Sequence, residues 1–175
     1  MEHDELEAFW VDARIRAKIN RVSGYLGVSA KEVLRPPAWS FGGDPTQADE
    51  LLSLVLAGTK TATSSARADY DADGEQVPEF GSLSIVLDGA GHPRALLRTT
   101  DVRVVRFDQV DAAHARAEGE ADGSLEQWRE AHAEFFEQQS HHRFDPEMLV
   151  VLENFEVLVA VPYTGEDALS PTSIG

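Results

Sequence analysis

Lys60, Thr61 and Thr63 stand within four residues of one another in the run Gly58-Thr59-Lys60-Thr61-Ala62-Thr63-Ser64-Ser65. One amine beside two hydroxyls is a set able to polarise or attack a carbonyl. The hydroxyl supplies a nucleophile, and the amine supplies either a base or a fixed positive charge. A second chemically capable run comes later, Ala117-Glu118-Gly119-Glu120-Ala121-Asp122-Gly123. Closely spaced carboxylates raise one another's pKa, which suits proton transfer. Both runs also have plain structural readings. Lys60 can be a lysine just beyond a helix, ahead of a Thr-rich strand, with a charge that matters little to that helix. The acids can be a solvated loop favouring the start of the next helix. Linear order alone does not bring Glu120 near Lys60.

The elements that must position these residues carry recognisable signals. Asp44 sits where an N-cap belongs, Pro45 takes the first helical position and Gln47 falls three residues after the cap. Ala48, Leu51, Leu52, Val55 and Leu56 then form one apolar stripe, and Gly58 ends the helix. The reading is a helix over about 45–57 that delivers Lys60 to a strand from Thr61 to about Ala66.

Elsewhere, residues 4 to about 21 read as a helix, and Tyr25 to Leu34 is ambiguous. Trp39-Ser40-Phe41-Gly42-Gly43 reads as an aromatic-flanked turn, and Asp69 to Phe80 as an exposed acidic loop. Strands are expected at Ser82–Leu87, Ala95–Thr100, Val102–Phe107 and Met148–Val161. A short helix follows Asp111, and Ser124 with Gln127 opens a helix to about Gln139. Helices first, then strands with two inserted helices, predict an α+β fold with a mostly antiparallel, curled sheet.

The chain has 175 residues, 42% of them hydrophobic, with three Trp and eight Phe, enough for one core. It has no cysteine, so disulfides, thiol nucleophiles and thiolate metal sites are excluded. The acidic N-terminus lacks the features of a signal peptide, and no apolar run reaches the roughly 18 residues of a membrane span. A cytoplasmic protein without membrane partners is the expectation. A net charge of −16 opposes high-affinity binding to a phosphate backbone, so duplex DNA is not an expected partner.

Asp69-Tyr70-Asp71-Ala72-Asp73-Gly74 begins like a calcium loop, but the closing bidentate glutamate falls on Phe80. No metal site is expected there. The pair His141-His142 reads as a fraying helix end, and His132 as a hydrogen-bonded core residue.

Four stretches in order resemble the ASCH domain, a fold related to the PUA barrel. They are Trp39-Ser40-Phe41-Gly42, then Ala48-Asp49-Glu50-Leu51 through Gly58-Thr59-Lys60-Thr61-Ala62-Thr63. Glu118-Gly119-Glu120-Ala121-Asp122 with Ser124-Leu125-Glu126-Gln127-Trp128-Arg129 follows, and Met148-Leu149-Val150-Val151 closes the series. The resemblance implies a PUA-like twisted antiparallel β-barrel with flanking helices. It divides the chain into an N-terminal helical extension over 1–38, like that of longer bacterial members, an ASCH domain over 39–163 and a disordered tail over 164–175.

ASCH domains are supposed to bind RNA or nucleotides in a cleft beside the barrel. Some small bacterial members are amidohydrolases that release acetate from N4-acetylcytidine, and at least one is a ribonuclease. The resemblance therefore implies a cofactor-free amidohydrolase acting on an acylated nucleoside or base. Lys60 and Thr63 match the family's catalytic pair in spacing. Glu120 matches its glutamate through the Ala117–Glu120 context, with Glu118 as the alternative. Trp39 and Phe41 would stack on the base, and Thr61 and Arg67 would bind substrate. One departure stands out: Ser65 replaces an arginine usual in the family, and Arg67 is the nearest substitute. The alternatives are a non-catalytic module for short single-stranded RNA or nucleotides, and a ribonuclease. For RNA, Lys60, Arg67, Arg94, Arg98 and Arg103 are the contributors available to a basic strip.

Overall fold

The computed structural model describes residues 2–19 and 34–161. The ambiguous stretch before Leu34 and the expected C-terminal tail lie outside them. Among the described residues, five α-helices and five strands make an α+β fold. The helices are α1 (Glu2–Arg16), α2 (Pro45–Leu56), α3 (Arg67–Asp73), α4 (Ala112–Glu118) and α5 (Leu125–Gln139). The strands are β1 (Ala38–Trp39), β2 (Ala62–Ala66), β3 (Leu83–Leu87), β4 (Pro93–Arg106) and β5 (Leu149–Ala160). They form one sheet in the order β1-β3-β4-β5-β2, with β1–β3 parallel and every other pair antiparallel.

Caps set the helix starts. Asp44 accepts from the Gln47 amide at 2.9 Å, Asp111 from the His114 amide at 2.9 Å, and Ser124 from the Gln127 amide at 3.2 Å. The Gln47 side chain turns back to accept from the Gly43 amide at 2.8 Å, fixing the aromatic turn against α2. Gly58 ends α2 with φ +79°, a conformation that costs other residues a Cβ clash.

Burial alternates along β2, with Ala62, Ser64 and Ala66 buried on one face. That face lies over a core of Phe107, Val110, Ala115, Trp128 and Phe136, supplied partly by α4 and α5. Phe41, Leu52, Val55 and Phe155 build a second core under α2, and Trp10 and Ala13 of α1 seal a third against Ile85, Leu96 and Val159. α1 therefore belongs to the packed body.

Three expectations need correction. The acidic segment after Asp69 starts as a helix, α3, because Arg67 bridges to Asp71 at 2.8 Å and Gly74 closes the turn with φ +67°. Its carboxylates are tied to the end of α5: Asp69 accepts from the Ser140 hydroxyl at 2.8 Å, and Asp73 faces His141 Nε2 at 2.9 Å. Strands expected at 95–100 and 102–107 are one continuous β4, irregular in register between Thr99 and Asp101. Such a bulge lets one strand bend without ending. The first helix stops at Arg16 and not near residue 21.

Candidate functional site

β2 lies at the edge of the sheet, and Lys60 enters it directly from the end of α2. The backbone amide of Thr61 donates to the Ala117 carbonyl at 2.7 Å, and its hydroxyl donates to the same oxygen at 3.2 Å. This tie holds the end of α4 against the start of β2. Beside it, Gly119 has φ +64°, and a Cβ there would meet the Thr59 carbonyl oxygen at 2.2 Å. Only glycine permits that approach, which is what carries Glu118 and Glu120 to Lys60.

Lys60 is buried to 1% exposure, among the most deeply buried side chains in the protein. Its ammonium donates to Glu120 at 2.9 Å, lies 3.5 Å from Glu118, and stands 5.4 Å from the centre of the Phe41 ring. Two carboxylates and an aromatic face are the surroundings of a cation. The Lys60 charge is spent away from the helix it follows: it is the counter-ion of a buried acid.

Glu118 is the hub. Its Oε1 accepts from the Ser64 hydroxyl and lies 2.8 Å from His114 Nε2, and its Oε2 lies 3.0 Å from His132 Nε2. Burial alone would raise its pKa. The hydrogen bonds from His114 and His132 and the Lys60 charge outweigh burial and hold it well below the usual carboxylate range. The two histidines differ. His114 has Nε2 against Glu118 and a buried Nδ1 without a partner, so the proton belongs on Nε2. His132 has both nitrogens on acceptors, Glu118 through Nε2 and the Trp128 carbonyl through Nδ1 at 2.9 Å. Both must donate, which defines an imidazolium, and the ring stacks on Trp128 at 4.2 Å. Burial opposes this charge, but Glu118 more than compensates and raises the pKa of His132.

The folded value of His132 exceeds the ordinary value of about 6.5, so its contribution is complete below about pH 6.5 and lost as pH rises through the folded value. Urea unfolding between about pH 6 and 9 should show wild-type stability falling with pH. His132→Gln should flatten that slope. An equal slope in the variant would assign it elsewhere.

Next to this network lies a cleft of about 290 Å³ lined by Trp39, Phe41, Thr63, Glu118, Glu120 and His132, among others. Thr63 and Glu120 are both half-buried, so both are reachable from it. Trp39 packs edge-on to Phe41 with centroids 4.7 Å apart. Phe41 is itself mostly core, which leaves Trp39 and Phe135 as the more open aromatic surfaces. Thr61 is spent on the Ala117 tie, and Arg67 on Asp71; neither lines the cleft. Ser65, in the place of the family arginine, lines the cleft.

Sequence reasoning missed Ser64, His114, Phe135 and the placement of His132 at the cleft. The His114/Glu118 spacing of four on one helix was the signal available. Glu118, Glu120 and His132 also present ligand atoms within 4.8 Å of one another, the one such set among the described residues. The Lys60 ammonium already sits on both carboxylates of that set, so a metal ion would have to displace it.

A family profile for the ASCH domain matches residues 37–159, and the chain belongs to the ASCH family, a PUA-like class. It is similar to the ASCH domain from Lactobacillus crispatus JV V101, at 30% identity with a TM-score of 0.72, over 89% of this chain and 94% of that one. It is also similar to protein EF3133 from Enterococcus faecalis V583, at 33% identity with a TM-score of 0.67, over 84% of this chain and 88% of that one. None of the curated proteins matches it. No described helix is long and apolar enough to cross a membrane.

Proposed function

We propose that the protein is an amidohydrolase that removes an acyl group from an uncharged nucleoside or base, of the kind that N4-acetylcytidine represents. The observation that carries this reading is the cleft: it holds Thr63, Glu120 and open aromatic faces, yet contains Asp69, Glu118 and Glu120 and neither lysine nor arginine. Its volume lies at the small end of the roughly 300–1,000 Å³ usual for small-molecule sites, suiting one nucleoside better than a strand. A phosphate would meet carboxylates there. The residues available to an RNA strip are each engaged with an acid: Lys60 with Glu118 and Glu120, Arg67 with Asp71, Arg94 with Asp88, Arg98 with Glu156 and Arg103 with Asp101 and Asp111.

Thr63 is the nucleophile in this reading. Its Oγ1 bonds to the acyl carbon, the carbon–nitrogen bond breaks, and water then hydrolyses the acyl ester. Lys60 acts as fixed positive charge and not as base, because its proton is held by two carboxylates. It orients Glu120, which relays a proton to the departing amine at the cleft. Trp39 and Phe135 stack on the base, worth roughly 1–3 kcal/mol per ring by analogy with single-strand binders.

The test is incubation with N4-acetylcytidine and with its 5′-monophosphate, following deacylation by chromatography. Deacylation of the nucleoside should exceed that of the nucleotide by tenfold or more in kcat/KM. No turnover of either, with salt-sensitive binding of a short single-stranded RNA, would replace this reading by the RNA module.

A further inference from the structure

With Lys60 held as an ammonium, Thr63 needs another group to take its proton. The register of β2 on β5 places Thr63 directly opposite Glu153. In an antiparallel pair, opposed residues share a face with Cβ atoms roughly 4.5–5.5 Å apart, within reach of a glutamate side chain. Glu153 is buried to 8% exposure, lies outside the cleft lining, and stands beside Thr63 on the neighbouring strand. A carboxylate beside the nucleophile can take a hydroxyl's proton as the oxygen advances.

We propose that Glu153 is a catalytic residue, the proton acceptor of Thr63. This rests on the amidohydrolase reading above. As Thr63 Oγ1 bonds to the acyl carbon, its proton passes to the Glu153 carboxylate. When the carbon–nitrogen bond breaks, the proton goes on to the amine nitrogen, with Glu120 as relay on the cleft side. Water then adds to the acyl carbon and gives its proton to Glu153. That proton returns to Oγ1 as the ester bond breaks, so amide plus water becomes acid plus amine with every proton accounted for.

The surroundings of Glu153 suit the task. Thr99, swung inward where β4 is irregular, donates its hydroxyl to Oε1 at 2.6 Å, which fixes the carboxyl and uses one oxygen. Tyr70 of α3 feels the Glu153 charge. Burial raises the Glu153 pKa, with the Thr99 bond taking back part of the rise. Burial likewise raises that of Tyr70. Among the described residues no cation acts on Glu153, in contrast to Glu118. A carboxyl moved upward toward neutral pH is a better acceptor for a hydroxyl proton than one locked far below.

Glu153→Gln keeps the shape and the Thr99 hydrogen bond but cannot take a proton. With N4-acetylcytidine as substrate, kcat should fall roughly 100- to 10,000-fold while KM stays within about threefold. The wild-type kcat profile should show an acid limb above the ordinary glutamate value of about 4.3. Thr99→Val, which removes a hydrogen bond that lowers the Glu153 pKa, should move that limb upward and leave turnover measurable. An active wild type with Glu153→Gln equally active and an unchanged pH profile would overturn the role of Glu153 alone. A wild type that turns over no acylated nucleoside would overturn the function reading, and this inference with it.

Discussion

Glu118→Ala should cost the protein about 3–5 kcal/mol of stability, a large share of the roughly 5–15 kcal/mol that holds a domain folded. The wild-type carboxylate is buried to 1% exposure and serves Lys60, His114, His132 and Ser64 together. Removing it leaves the Lys60 and His132 charges facing each other across a buried hole, with Glu120 as the remaining counter-charge. Such a loss exceeds the Coulomb term of any one pair, because the desolvation of both cations is no longer offset. The control is Glu130→Ala, an exposed acid on α5, which should stay within about 0.5 kcal/mol. Equal urea midpoints for the two variants would mean that the network does not hold the fold. The same network fixes the acid limit. Glu118 is depressed, so its contribution is present above about pH 4.3 and lost as pH falls through its lower folded value.

Lys60→Met should lower turnover by roughly 100- to 1,000-fold, the usual effect of losing one preorganised electrostatic group. Methionine fills much of the same volume over Phe41, so packing changes little and the missing charge dominates. Some stability goes with it, because Glu118 and Glu120 lose their shared cation. Turnover must therefore be read well below the variant's own unfolding midpoint. Lys60→Arg should not restore the rate. Lys60 is 1% exposed, and a space closed around a compact amine does not take the larger planar guanidinium without displacing its neighbours. Near wild-type rates in either variant would return Lys60 to a purely structural role.

Local signals made much of the framework legible. Asp44, Pro45 and Gly58 bound α2, and the Ser124 cap opens α5, because capping chemistry is confined to a few neighbouring residues. The proximity of Lys60 to the Glu118-Gly119-Glu120 run was not legible. It depends on the Thr61–Ala117 tie and on the close pass of Gly119 over Thr59, contacts between segments almost sixty residues apart. α3 was hidden for a different reason. A run of acids reads as a solvated loop until Arg67 is known to pair with Asp71 and Ser140 to hydrogen-bond Asp69. Glu153 lies within the strand expected at Met148–Val161, and only the register that sets it against Thr63 gives it a chemical reading.

The assignment of Thr63 as nucleophile is tested most directly by quenching the protein in acid within a turnover of N4-acetylcytidine and digesting it for mass spectrometry. One acetyl group per chain is expected, on the peptide that carries Thr63, and none in Thr63→Val. Cytidine released while no acetyl group appears on that peptide, or an acetyl group found on Lys60 instead, would contradict it.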